Sequence, residues 1–174
     1  NLEPIVRALK KTGGDRIHTI YHKSQSTLPD KPGIGEQSGY VLGDRGAGEV
    51  LEHGYKFLVN WEEGQKTGFF IDQRMNRKML GDWSGGRKVL NMFGYTGGFS
   101  VYAMGGGANL VHTVDSSGKA IGLSSENVEL NFPGDSRHEA YTADAFSYLR
   151  EMQDHYDLII LDPPAFTNHH KVLN

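Results

Sequence analysis

The stretch "RKVLNMFGYTGGFSVYAM", residues 87–104, decides how the chain is read. An apolar run around Val89 and Leu90 enters a turn holding Gly94, Gly97 and Gly98, and the chain leaves it through the helix-compatible "VYAM". A buried strand, a glycine turn and a helix in succession begin a strand–helix–strand unit. The pattern then repeats. "NLVHTVD" (109–115) is a second strand and "SGKAIGLSSENVELN" (117–131) a second helix. "HEAYTAD" (138–144) and "AFSYLREMQ" (145–153) follow as strand and helix, and "YDLIILD" (156–162) as a fourth strand. Alternation at this spacing predicts parallel strands joined by right-handed crossovers, an α/β doubly wound, mainly parallel sheet. Four strands form only part of such a sheet, so this region is expected to be C-terminally incomplete.

Upstream the pattern differs. "LEPIVRALKK" (2–11) has apolar positions at helical spacing and is stopped by Gly13-Gly14. "RIHTIYHKS" (16–24) has strand composition, and residues 25–46, rich in Ser, Pro, Gly and charge, predict a mobile or partly disordered loop. "GEVLEHGYKFLVNWEEGQ" (48–65) predicts a hairpin turning at His53-Gly54. Residues 1–62 are therefore taken as a small α+β domain and 63–174 as the α/β domain.

The 174 residues are 37% hydrophobic and 22% charged, the profile of a folded globular protein. With 18 basic and 21 acidic side chains the net charge is −3, so no global field announces nucleic acid, though a local basic patch is compatible with it. The absence of cysteine excludes a disulfide framework, a zinc–thiolate centre and a cysteine nucleophile within these residues. No metal site is expected. No signal peptide and no apolar run of about 18 residues is present, and a cytoplasmic protein without membrane contact is expected.

Ligands of doubly wound sheets bind at the carboxyl ends of the strands. "FGYTGG", Asp115, Asp144 and "DPP" (162–164) all fall there. The glycine order does not fit the dinucleotide pattern G-x-G-x-x-G, and Phe93, Tyr95 and Phe99 crowd the turn, which suits a flatter, less charged ligand. Asp115, about 20 residues after the glycines, can accept hydrogen bonds from ribose hydroxyls. Asp144 can cap the following helix, can meet an adenine amino group with Phe146 against the ring, or can do both. The prolines after Asp162 remove backbone donors and hold that carboxylate in a fixed pose.

These residues resemble a known family. "VLNMFGYTGGFSVYA", "VDSSGKAIGLSSENVELN", "TADAF" and "DLIILDPPAF" resemble motifs I to IV of class I S-adenosylmethionine-dependent methyltransferases, with their Rossmann-like fold. "GQKTGFFIDQRMNRKML" (64–80) looks like the segment upstream of motif I in bacterial 23S ribosomal RNA methyltransferases of the cytosine-5 type, which carry an N-terminal PUA domain. Residues 1–62 resemble the connecting domain of that family more weakly, and no PUA domain is evident. The resemblance implies S-adenosyl-L-methionine as cofactor. It would lie between Lys66, Thr67, Gly68, Phe69, Asp72 and Arg74 on one side and Phe93, Tyr95, Thr96 and Gly97 under its methionine part. Asp115 with Ser116 would meet the ribose, Asp144, Ala145 and Phe146 the adenine end, and Asp162 with Pro163 the site next to the transferred methyl, Asp162 being the catalytic candidate. "KAIGLSSENV" departs from the family pattern by placing Gly122 inside a helix.

The family's C5 chemistry uses a cysteine in a later motif, so that nucleophile would lie outside these residues. "DPPAFTN" also fits in part a guanine-N7 ribosomal RNA family, whose reaction needs no cysteine; a catalytically silent RNA- or nucleoside-binding module is a third alternative. The implied partner is 23S ribosomal RNA, with Arg74, Arg77, Lys78, His169, His170 and Lys171 as candidate RNA contacts. A dimer is compatible with the sequence, which does not fix the oligomeric state.

Overall fold

The computed structural model describes residues 2–23, 38–44, 47–64 and 67–164. They form two compact units, one of residues 1–49 and 59–70 and the other of residues 50–58 and 71–174.

In the first unit, helix α1 (Glu3–Gly13) has Pro4 in its first turn, Glu3 at its positive end and Lys10 and Lys11 at its negative end. The strand expected over 16–24 is confined to β1 (Ile20–His22), after a 3-10 turn at Gly14–Arg16. It pairs antiparallel with β2 (Gly39–Leu42), so part of the expected 25–46 loop is a strand; residues 24–37 and 45–46 lie outside the described residues. Lys23 donates to the carbonyl of Trp61 at 2.9 Å and to that of Gly64. Strands β3 (Ala47–Glu52) and β4 (Tyr55–Asn60), of which residues 50–58 belong to the second unit, form the expected hairpin. Its turn residues His53 and Gly54 both have positive φ, 49° and 91°, matching the twist of a tight hairpin.

In the second unit, a 3-10 turn (Ile71–Gln73) leads into α2 (Arg74–Trp83), a helix that the sequence reading did not delimit. Then come β5 (Lys88–Met92), α3 (Gly98–Gly105), β6 (Leu110–Asp115), α4 (Gly118–Asn131), β7 (His138–Thr142), α5 (Ala145–Glu151) and β8 (Leu158–Leu161). The sheet order is β7-β6-β5-β8, every pair parallel, as the alternation predicts. The order reverses between β5 and β8, which is the switch point where such folds bind ligands. Val89, Leu90, Met92, Val111 and Val114 are fully buried, explaining why these strands read as apolar runs. Leu90, Met92, Val114 and Ala145 form a core on which Phe93, Tyr141, Tyr148, Leu149, Met152 and Tyr156 pack. No helix among the described residues is long and apolar enough to cross a membrane.

A buried polar chain crosses the sheet. Asn91 Nδ2 donates to Ser100 Oγ at 2.9 Å, Ser100 Oγ meets Thr113 Oγ1 at 2.6 Å, and Thr113 Oγ1 meets His138 Nε2 at 2.8 Å. Burial, then the nearby His112, lowers the pKa of His138 to about 4, against the raising effect of Glu139. Unfolded, the same imidazole takes up a proton below about pH 6.5. Between those values the unfolded chain binds more protons, so stability falls as pH drops from 6.5 to 4. Asp135 and Asp144 are held below the usual carboxylate range, by Arg137 and by the Ser147 amide respectively, and titrate below that window. His138→Gln is expected to flatten the dependence of Tm on pH between 6.5 and 4, the remaining slope coming from His112, which burial also lowers. A second prediction concerns Gly122, where an added Cβ meets nothing within 4 Å inside α4. Gly122→Ala is expected to raise stability by about 0.5–1 kcal/mol, read as a higher urea midpoint at constant slope.

Candidate functional site

Register places the four suspected features on one edge. Met92 aligns with Val114 and with Leu161, and Asp115 with Thr142, so Phe93–Gly98, Asp115, Asp144 and Asp162 all follow the carboxyl ends of parallel strands. Asp115 is the hinge of this edge. Its Oδ2 accepts the Tyr95 N–H at 2.9 Å and its Oδ1 accepts the Ser117 N–H at 2.9 Å. Each carboxylate oxygen keeps a lone-pair site for a further donor, as recognition of a vicinal diol requires. The chain around it is closed by Gly94 N–H to Val114 O and Ala143 N–H to Asp115 O, both 3.0 Å.

The loop is strained where it would face a ligand. Phe93 and Tyr95 have φ of 55° and 47°, a left-handed backbone that costs an aromatic residue about 1–3 kcal/mol. The glycines serve packing instead. A Cβ on Gly94 would collide with the Thr113 side chain, and one on Gly97, at φ 75°, with Ser124. Two of the three crowding aromatics read from the sequence, Phe93 and Tyr95, are thus the strained members of the turn, while Gly94 and Gly97 admit the side chains of β6 and α4 close behind it.

Asp144 caps α5, accepting the Ser147 N–H at 2.9 Å, and Ala145 is buried behind it while Phe146 is exposed. Ser116 is exposed; the cap of α4 is its neighbour Ser117, which accepts from Ala120 N–H at 3.3 Å. Asp162 is exposed and lines a groove of about 330 Å3 between β8 and α2, with Phe99 from the first turn of α3 and Asn76, Met79 and Trp83 from α2. Pro163 follows it, exposed. Asp72 and Arg74 are exposed at the entry to α2, Arg74 Nε donating to His53 Nε2 at 3.0 Å. In the first unit, Thr67 donates to the Phe69 carbonyl at 2.9 Å and shares a cleft with Thr19, Tyr21, Lys23 and Trp61. Gly68, at φ 83°, leaves room for the Asn60 carbonyl. Lys66 lies outside the described residues, as do His169, His170 and Lys171.

One expected RNA contact is corrected. Arg77 is 3% exposed and forms a two-pronged ion pair with Glu52, 7% exposed, at 2.8 and 2.9 Å. Tyr102 adds a hydroxyl bond to Glu52 Oε1 at 3.0 Å. Its side chain cannot reach a surface ligand, because it spans from α2 to the hairpin under the first turn of α3. Lys78 is exposed and pairs with Asp82 at 2.9 Å. No sequence signal paired Arg77 with a residue 25 positions upstream.

The donor set fits S-adenosylmethionine better than a phosphate-bearing ligand. The strand ends carry three carboxylates, and the loop from Phe93 to Gly98 contains no lysine or arginine. That edge complements a sulfonium cation and a ribose diol and repels a pyrophosphate. Glu52→Gln is expected to cost about 3–5 kcal/mol by stranding the buried guanidinium, whereas Glu52→Leu with Arg77→Met recovers most of it, both read from urea unfolding.

The sequence profile of the S-adenosylmethionine-dependent methyltransferases matches residues 38–174. Ribosomal RNA large subunit methyltransferase I of Aeromonas salmonicida is 39% identical over 153 residues, 85% of this chain and 39% of the relative. Ribosomal RNA large subunit methyltransferase K/L of Photobacterium profundum is 44% identical over 119 residues, 68% of this chain and 17% of the relative. The chain spans about two-fifths of the length of the methyltransferase I relatives. Among solved structures, SMU.776, described as a methyltransferase and complexed with SAH, is similar with a TM-score of 0.80 and 31% identity over 98% of this chain and 43% of that one. The SAM-dependent methyltransferase of Agrobacterium tumefaciens has a TM-score of 0.72 and 25% identity over 88% of this chain and 49% of its own. With the profile covering the whole strand–helix alternation and the strand-end carboxylates, this chain belongs to the S-adenosylmethionine-dependent methyltransferase family.

Proposed function

We propose that the protein containing these residues transfers a methyl group from S-adenosylmethionine to a base of large-subunit ribosomal RNA, at cytosine C5, in the cytoplasm. The observation that carries the cofactor assignment is the Asp115 carboxylate, held by the Tyr95 and Ser117 amides beside a loop without basic residues. The similarity to ribosomal RNA large subunit methyltransferases I and K/L supports ribosomal RNA as substrate.

The cofactor supplies an electrophilic methyl group, and the chain supplies position. Asp115 and Ser116 take the ribose, Asp144, Ala145 and Phe146 the adenine end, and Phe93, Tyr95, Thr96 and Gly97 the methionine side. The family resemblance supports adding Lys66, Thr67, Gly68, Phe69, Asp72 and Arg74 to this set, with residues 63–174 as the methyltransferase domain and 1–62 as its connecting domain. Asp162, with Pro163 stiffening the chain behind it, contacts the target base. Cytosine C5 attacks a methyl group only after a thiolate adds at C6, and these residues contain no cysteine. The thiolate then comes from outside them. Guanine N7 is nucleophilic unaided and is the second reading, supported by the partial match of "DPPAFTN" (162–168) to that family.

Calorimetric titration of the full-length protein with S-adenosylmethionine is expected to give one saturable site, and Asp115→Asn to weaken it about tenfold, close to 1.4 kcal/mol. A full-length protein that binds none overturns the methyltransferase reading in favour of a silent RNA-binding module. Mass spectrometry of treated ribosomal RNA then separates 5-methylcytosine, the expected product, from 7-methylguanine.

A further inference from the structure

Helix α4 presents Asn127 and Asn131 one turn apart on one face. Asn131 pairs with the backbone of β4, accepting the Lys56 N–H at 2.8 Å and donating to the Lys56 carbonyl at 2.7 Å. Asn127 Oδ1 accepts the Leu58 N–H at 2.7 Å, two residues along the same strand. The two amides thus act as a substitute strand along β4.

Asn127 does something more. It is fully buried, and its Nδ2 donates to the carbonyl of Thr96, itself buried in the loop, at 2.9 Å. One side-chain amide therefore bridges β4 and the loop. It can satisfy both contacts in a single orientation, since a flip would oppose N–H to N–H and oxygen to oxygen. The Thr96 peptide lies between two other fixed points. Tyr95 N–H is held by Asp115, and Gly97 O accepts the Val101 N–H at 3.0 Å to start α3. Without Asn127 the Thr96 carbonyl would be a buried acceptor with a lost partner and a reason to rotate, and rotation of its peptide would break the Gly97 N–H bond to the Gly94 carbonyl (2.9 Å) and loosen the turn that Asp115 holds at Tyr95.

We propose that Asn127 is a positioning residue for the cofactor loop, locking the Thr96 carbonyl to the backbone of β4 so that residues 50–58 and the loop hold one geometry. This rests on the reading of that loop as the S-adenosylmethionine site. Asn131, which holds β4 and the Asn127 carbonyl of its own helix (2.7 Å) but makes no bond to the loop, is the internal control.

The test uses the full-length protein, with S-adenosylhomocysteine affinity by calorimetry, Tm, and amide hydrogen exchange measured together. Asn131→Ala is expected to lower Tm while leaving Kd within about twofold of the parent and speeding exchange at Lys56 alone. Asn127→Ala and Asn127→Asp are expected to raise Kd about tenfold or more under conditions where all variants are folded, a loss of about one buried hydrogen bond. Asn127→Asp keeps an acceptor for Leu58 and sets oxygen against oxygen at Thr96, so it isolates the loop contact; should it not fold, Asn127→Ser takes its place. In Asn127→Ala, exchange should quicken at both Leu58 and Tyr95. Parent-like affinity in the folded Asn127 variants, or an equal loss in Asn131→Ala, overturns the proposal. A parent protein that binds no S-adenosylhomocysteine overturns the cofactor reading instead, and separate exchange responses at Leu58 and Tyr95 would then overturn the coupling on its own.

Discussion

The buried Arg77–Glu52 pair joins three pieces of the structure: the hairpin strand β3, helix α2 and helix α3. Taking both charges out of water costs several kcal/mol, and the attraction repays it only because the geometry is two-pronged and Tyr102 fills a remaining acceptor site. Such a pair adds little net stability over an apolar substitute. What it adds is discrimination, since no neighbouring register of β3 would bring a carboxylate to that guanidinium. Gly98 is part of the same constraint, because a side chain there would press on the Arg77 Cδ atom 3.1 Å away. The second glycine of the Gly97-Gly98 pair thus stands against the Arg77 side chain at the back of the loop.

Two kinds of polar contact therefore hold the strand-end edge from behind. Charge fixes the hairpin to α2 and α3, and the asparagine amides of α4 fix β4 and Thr96. In front, Asp115 ties the loop to the end of β6. The edge is built from backbone carbonyls and amides under side-chain control. The side open to solvent next to β8 is different in kind. Ile71, Met75, Met79 and Trp83 recur every fourth residue and are exposed, beside exposed Ile159 and Leu161 on the outermost strand.

Strands β5 and β6 were legible because buried parallel strands leave continuous apolar runs, whereas β7 and β8, half exposed at the two edges of the sheet, were legible from the strand–helix alternation. The convergence of Asp115, Asp144 and Asp162 followed from topology alone. What escaped notice has physical causes. In α2 the apolar positions are diluted by Arg74, Asn76, Arg77 and Lys78, so its helical period is masked. The short β2 sits in a glycine- and serine-rich context. Arg77 carries the signature of a surface residue, and its partner Glu52 comes from a different element. Asn127 and Asn131 look like ordinary polar positions of a helix, because their partners are backbone groups that leave no mark in composition. The loop glycines illustrate a third limit: composition shows that side chains are excluded but not from which direction.

The left-handed backbone at Phe93 and Tyr95 has an evolutionary side. Glycine at Tyr95 would relieve the strain, so drift toward stability runs against that aromatic residue, while glycine at Phe93 would also remove a side chain packed on the core. Their retention in this sequence marks a place where the chain carries a thermodynamic handicap in exchange for a loop already in shape before anything binds. Directed evolution for thermostability would be expected to erode this turn first, and a selection that also demanded ligand affinity would be needed to keep it.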